Sequence, residues 1–346
     1  MAEKISWRTH SRYGPHLPWL LAAAAVILVG SFIQQSVDAY FFQIIMYAGI
    51  NIVLAVSLNL VNGFTGQFSM GHAGFMSVGG YVAAYVSTLI VTSNPGVLAT
   101  GAGSFAVFAT AMAAGGAAAA AVGLLVGLPS LRLKGDYLAI VTLGFGEIIR
   151  VVITNMEAVG GARGLPGIPA IATFTWVYMM ALATIFTVSR LVRAPYGREM
   201  ISVREDEIAA VAMGVNNTAA KVRAFVIGAT FAGFAGALFG HFLTYLNPTI
   251  FDFNRSFEII IMVVLGGMGS ITGSVIAAIF LTVLREGLRS LQSITQVDFR
   301  MIIYSLMLII LMLTRPNGLF GTREVTDFIP WLRKRRNSAG GGTRHD

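Results

Sequence analysis

Residues 257–284 read FEIIIMVVLGGMGSITGSVIAAIFLTVL, an apolar run interrupted at its middle by Gly266-Gly267-Met268-Gly269-Ser270. A bilayer's hydrocarbon core takes about 20 apolar residues of helix, and this run exceeds that. Glycine lets a helix break or a neighbouring backbone approach, and irregular backbone at membrane depth is tolerated only where protein or a water-filled cavity surrounds it. The stretch therefore reads as two short or half-length helices, 257–267 and 271–284, with Gly266, Gly267 and Gly269 as their hinge.

The rest of the chain explains why a break is required. Of 346 residues 55% are hydrophobic and 12% charged, about half the charged fraction of a soluble domain. Apolar runs recur near 17–35, 40–61, 73–92, 103–128, 137–154, 172–190, 222–245, 257–284 and 299–314. A closed β-barrel would instead show alternating segments of about 10 residues, so helices are the structure that satisfies this backbone in lipid. The first run follows Lys4, Arg8 and Arg12 and has no small-residue cleavage site with a soluble domain behind it. It reads as a retained helix, not a signal peptide.

Short loops rich in Lys and Arg stay cytoplasmic. That rule places inside the N-terminus, the loop 129–136 with Arg132 and Lys134, the loop 190–222, and the tail with Arg333, Lys334, Arg335 and Arg336. Six spans satisfy it in turn. Three more would leave the basic tail outside, unless 257–284 passes the membrane level twice. The expected fold is an all-α integral membrane protein, a polytopic bundle of about 8–10 transmembrane segments with broken, glycine-rich helices. Its expected divisions are a basic cytoplasmic N-terminus at 1–16, a permease domain at 17–321, and a basic, disordered cytoplasmic tail at 322–346. The net charge of +8 belongs to these loops, and no nucleic acid is implied.

Residues 63–80, GFTGQFSMGHAGFMSVGG, place Ser, Thr, Gln and His between regularly spaced glycines. Such a segment lines a pathway or packs at its centre. Asn59, Gln67, Ser69, His72, Thr142 and Glu147 are the expected lining residues. Glu147 and Arg150 are also spaced as an (i, i+3) pair that could serve structure alone. Glu258 is similarly placed, and the external segments 155–171, with Glu157 and Arg163, and 248–255, with Asp252, Asn254 and Arg255, could meet a partner.

The loop 195–221, PYGREMISVREDEIAAVAMGVNNTAAK, carries the most information. Arg204-Glu205-Asp206-Glu207 is read as opening a short helix, acidic groups favouring its positive end. Gly214 stops it, and Asn216 or Asn217 caps the next helix, near Thr218. A helix with charged ends and a small apolar middle can lie in a groove of another protein. A solvated loop is the alternative.

Glu207-Ile208-Ala209-Ala210 followed by Gly214 resembles the EAA coupling loop of ABC importer permeases. It occurs with NLVNGFTGQFSMGHAGFMSVGGY at 59–81, LRLKGDYLAIVTLGFGEIIR at 131–150, GREMISVREDEIAAVAMGV at 197–215, KVRAFVIGATFAGFAGALFGH at 221–241, SFEIIIMVVLGGMGSITGSVIAA at 256–278 and RPNGLFG at 315–321. Together these resemble the LivM and LivH family of branched-chain amino acid permeases, LivM more closely. The resemblance implies a non-catalytic subunit of a bacterial inner-membrane importer for leucine, isoleucine and valine. Its implied partners are a second, LivH-like permease, two ABC ATPase subunits that hold the ATP and Mg²⁺, and a periplasmic binding protein that delivers the small-molecule substrate. Arg204, Glu205, Asp206, Glu207, Ala209, Ala210 and Gly214 would form the ATPase-coupling element.

The sequence contains no GxxxxGK[ST] phosphate loop, HExxH helix or GxSxG elbow, and no cysteine. ATP handling, an enzymatic centre and thiolate metal sites are thus unsupported; no cofactor is expected on this chain. A permease for urea or short amides remains open beside the amino-acid reading. An ion-coupled secondary transporter fits less well, because acidic groups deep in the membrane are scarce.

Overall fold

The computed structural model describes residues 17–130 and 135–295, and beyond these residues 303, 306, 309, 310, 313, 314, 318, 319 and 321. The basic N-terminus, Arg132, Lys134, most of the run 299–314 and the tail from residue 322 lie outside the described residues. Among the described residues there are eleven α-helices. Seven are long and apolar enough to cross a membrane, and the first adds a shorter apolar run, Trp19–Gly30.

The bundle is organised around α2 (Ala39–Asn59), which follows α1 (Leu17–Ser36). From Met46 to Asn59 every residue except Tyr47 is buried, as expected of a helix that is apolar all round. It is flanked by α6 (Phe174–Arg193), α9 (Asn217–Leu243), and two later helices, α10 (Phe253–Gly266) and α11 (Ile271–Thr295). Beyond Asn59 the helix widens into a π-helical turn, Leu60–Phe64, and then loses helical structure until α3 (His72–Ser93). The glycine-spaced segment 63–80 is thus broken backbone over 65–71 and regular helix from His72.

α3, α4 (Gly101–Ser130) and α9 pack through small residues. A Cβ on Gly236 would stand 1.9 Å from the Met76 carbonyl oxygen, and one on Gly79 would stand 2.2 Å from Gly233 Cα. Such contacts let backbones meet where lipid supplies no hydrophobic drive between helices. α5 (Asp136–Asn155) packs on α3. After α5 a short strand β1 (Leu165–Pro166) pairs antiparallel with β2 (Tyr245–Leu246), Leu165 opposite Leu246, tying together two loops on one face.

α10 and α11 form a hairpin. The chain turns at Gly267 and Gly269, with φ of 109° and 97°, a region that favours glycine. Gly266 and Gly273 pack together at the closed end, while Glu258 and Arg285 pair at 3.1 Å nearer the open end. The half-length helix before the break matches the sequence reading. The helix after it does not stop at residue 284, because Arg285, Glu286 and Arg289 continue it with their charges paired. Leu319 N–H donates to the Leu265 carbonyl at 2.9 Å, bringing the chain back beside the break.

The loop 195–221 contains one helix more than its sequence suggests. α7 (Pro195–Glu205) precedes α8 (Glu207–Ala212), so Arg204 and Glu205 close α7 and do not open α8. Proline fits at the first position of α7 because its missing N–H is an orphan there anyway.

Candidate functional site

A cavity of about 400 Å³ opens between the first half of α2, the end of α9, the start of α10 and the second half of α11. It lies on the face opposite α7 and α8, which pack near the other end of α2. Its lining is mixed: Tyr47 and Phe239, whose rings stand 6.1 Å apart, and Ile250 join Arg255, Glu258, Arg285 and Glu286. The size and mixed lining are those of a small-molecule pocket.

Helix geometry explains the charged part of the lining. Asp252 caps α10, its Oδ1 accepting Arg255 N–H at 3.0 Å. Arg255 and Glu258 are one turn apart on α10, and Arg255 Nη1 donates to Glu258 Oε2 at 3.0 Å. Arg285 Nη1 donates to the same oxygen at 3.1 Å. Arg255 Nη2 reaches across to Asn51 Oδ1 at 2.8 Å, and Asn51 Nδ2 donates to Thr282 Oγ1 at 2.8 Å. Polar atoms of three helices, α2, α10 and α11, are thereby fixed in place. Below them Ile261, Met262 and Leu281, all buried, close the way toward the glycine break.

Two polar atoms of these lining residues stay unsatisfied. Arg255 Nε and Glu286 Oε2 are buried and have no hydrogen-bond partner among the described residues. Arg289 Nη1 stands 3.6 Å from that Glu286 oxygen, within ion-pair range but too far for a hydrogen bond.

The lining residues expected from sequence lie elsewhere. Asn59 is fully buried beside the break: its Oδ1 accepts Gly269 N–H at 2.8 Å, and its amide donates to the Ser270 carbonyl at 2.8 Å and Ser274 Oγ at 2.9 Å. His72 Nε2 contacts Ser57 Oγ at 2.9 Å. Ser69 N–H donates to Asn62 Oδ1, and Gln67 Nε2 donates to the Thr65 carbonyl at 3.4 Å. Thr142 Oγ1 accepts Met70 N–H at 3.0 Å. Gln67, Ser69 and Thr142 hold the broken 60–71 segment in place, Asn59 holds the α10–α11 break and His72 ties α3 to α2, and none of the five lines the cavity. Glu147 is remote from it, paired with Arg150 at 2.7 Å in the structural arrangement their spacing allows. The cavity instead uses Asn51, Thr282, Arg285 and Glu286, which the sequence alone did not single out, together with Asp252, Asn254, Arg255 and Glu258, which it placed near the external end.

At the opposite end, Asp206 caps α8, accepting Ile208 N–H at 2.8 Å and Ala209 N–H at 3.0 Å. Those bonds hold its carboxyl below the usual Asp range. Gly214, at φ 84°, ends the helix, and Asn216 caps α9 through Ala219 N–H. Ala210 turns inward, buried, while Ala209 faces out. Glu207 pairs with Lys221, which is 4% exposed at the start of α9. Ile208 and Met213 are 81% and 83% exposed, and Val211 is exposed beside them. Arg204 Nη1 donates to the Gly63 carbonyl at 3.0 Å, joining α7 to the π-helical turn.

The family profile described as the branched-chain amino acid transport system permease component matches residues 40–312. The high-affinity branched-chain amino acid transport system permease proteins LivM of Salmonella typhimurium and of Escherichia coli are each 35% identical over 305 residues. The match covers 78% of this chain and 67% of each relative. The LivH permease protein of Salmonella typhimurium is 32% identical over 200 residues, 58% of this chain and 57% of its own. No solved structure matches the chain.

Proposed function

The chain belongs to the family of branched-chain amino acid transport system permease components, and on that premise we propose that it carries leucine, isoleucine and valine across a bacterial inner membrane. It is a multi-pass membrane protein. In this reading it works as the non-catalytic half of a permease pair with a LivH-like subunit. Two ATPase subunits hold ATP and Mg²⁺ and drive it, and a periplasmic binding protein delivers substrate to the face bearing the cavity. Both termini lie in the cytoplasm, with α7 and α8.

The cavity is the observation that carries the proposal. A solute entering from that face meets fixed polar groups and apolar surface, and is stopped by Ile261, Met262 and Leu281. Movement of the α10–α11 hairpin about Gly267 and Gly269 would open that layer. The exposed apolar side chains of α8 support a role in docking the ATPase, since a helix of this kind seats in a groove through such anchors.

Proteoliposomes containing the chain, its permease partner and both ATPases test the reading. Uptake of leucine, isoleucine or valine should require internal ATP and external binding protein, and should proceed without an ion gradient. Uptake that persists without the ATPases removes the proposal. A reporter fused after Arg289 should read external; a cytoplasmic reading overturns the orientation.

A further inference from the structure

Two residues that line the cavity between α2, α10 and α11 each carry a buried atom that has no hydrogen-bond partner among the described residues: Arg255 Nε, a donor, and Glu286 Oε2, an acceptor. Each is costly as it stands, because a buried polar group without a partner forfeits its hydration. Each also belongs to a residue that is at least nine-tenths buried and cannot turn freely to water. We infer that this cavity is a binding site for the zwitterionic end of an α-amino acid, with the substrate carboxylate on the Arg255–Arg285 side and the substrate ammonium on Glu286. The inference rests on the permease reading above and adds to it the groups that grip the substrate.

Charge selects the class of ligand. The cavity is lined by three arginines, 255, 285 and 289, and three acids, Asp252, Glu258 and Glu286, so it presents no net charge to favour a plain anion or cation. The charges are nevertheless segregated. Glu258 Oε2 is shared by the guanidinium groups of Arg255 and Arg285, while Asp252, the third acid, is taken up by Arg255 N–H and Asn254 Nδ2 at the start of α10. Among the described residues Glu286 has only the distant contact to Arg289, whose side chain is 63% exposed. A zwitterion satisfies both ends at once; an amine satisfies only Glu286 and a carboxylate only the arginines. Tyr47, Phe239 and Ile250 in the same lining offer apolar surface for an aliphatic side chain.

The native chain has no cysteine, so a single Thr282→Cys places one thiol at the floor of the cavity. In the assembled transporter without binding protein, a membrane-impermeant thiol reagent added from the external face should label it. Leucine should slow labelling, while 3-methylbutylamine and 4-methylpentanoate, its halves, should need at least tenfold higher concentrations. Glu286→Gln should raise the leucine concentration for half-protection by tenfold or more. Arg285→Gln, at a half-exposed position that tolerates change, should do likewise. A shift below twofold in both variants overturns the inference, as does equal protection by leucine and 3-methylbutylamine. Absence of leucine protection while the wild-type complex transports leucine on ATP also overturns it and leaves the permease reading standing. Absence of ATP-driven transport by the wild-type complex overturns the permease reading itself.

Discussion

Arg204 near the end of α7 donates to the backbone carbonyl of Gly63 at 3.0 Å, and Gly63 lies so close to the α10–α11 break that a Cβ there would sit 2.4 Å from Gly269 N. A push on α7 therefore reaches the hinge through one side chain and one backbone contact. Hydrogen bonds to charged groups are worth about 1.5–3 kcal/mol, so Arg204→Gln should weaken this link while sparing membrane insertion. Leucine transported per ATP hydrolysed should fall about tenfold in proteoliposomes. An unchanged ratio would show that force travels by another route.

Asn59 secures the same hinge from the α2 side, with one accepted and two donated hydrogen bonds to residues 269, 270 and 274. Asn59→Leu leaves the buried Gly269 N–H without its acceptor, at about 1–3 kcal/mol for an unsatisfied group, while Ser274 Oγ keeps its bond to the Ser270 carbonyl. The purified complex should melt at a clearly lower temperature. Asn59→Asp keeps only the acceptor and should fall between the two.

The contact between α3 and α9 predicts a steric effect of different origin. Gly236 has no room for a Cβ against the Met76 carbonyl, and backbone cannot move aside as a flexible side chain can. Gly236→Val should separate the helices, at about 1–3 kcal/mol for overpacking. Membrane abundance should drop, whereas Gly96→Ala, with nothing near its added methyl, should leave it unchanged.

Asp206 gives α8 a pH dependence. Its folded carboxyl titrates below the usual Asp range because Ala209 and Ile208 N–H groups stabilise the anion. A depressed folded value means that the cap's contribution is complete above the unfolded Asp value and lost as pH falls through the folded one. Amide exchange at Ile208 and Ala209, corrected for its intrinsic acid dependence, should lose protection in that acid range. Asp206→Asn should abolish the pH dependence while retaining a neutral cap.

Much of this architecture is legible in the sequence because membrane physics is written in runs and charges. The hinge at Gly266–Ser270 follows from the parity of basic loops, and the cap at Asn216 follows from residue type, whereas the structure singles out Asp206 from its acidic neighbours as the cap of α8. The cavity was harder to read. Arg285 and Glu286 look like the end of a span when taken alone, since the partner that draws Arg285 into the cavity, Glu258, lies 27 residues away. Polar groups in a glycine-rich membrane segment fit either a pathway or a packed centre from sequence alone; here Asn59 bonds the broken backbone at Gly269 and Ser270, and His72 bonds the Ser57 hydroxyl. α7 was hidden because its start, Pro195-Tyr196-Gly197, carries two residues that usually punctuate loops.

Glu207 combines two roles that a single substitution cannot separate. Its carboxylate pairs with Lys221, 4% exposed on α9, while its backbone carbonyl accepts Asn217 Nδ2 at 2.9 Å, so α8 is fastened to α9 through side chain and main chain together. Removing the carboxylate leaves a buried ammonium uncompensated, a change that costs about 3–5 kcal/mol. Glu207→Ala should therefore lower membrane abundance as well as coupling. Lys221→Met removes the stranded charge, and the pair Glu207→Ala with Lys221→Met should recover abundance because an apolar replacement of a buried ion pair is often neutral. If α8 transmits ATPase closure through this fastening, the recovered double variant should still hydrolyse ATP with transport per ATP reduced several-fold. Transport per ATP equal to wild type would confine the pair to folding and leave Arg204 as the link from the coupling loop to the membrane helices.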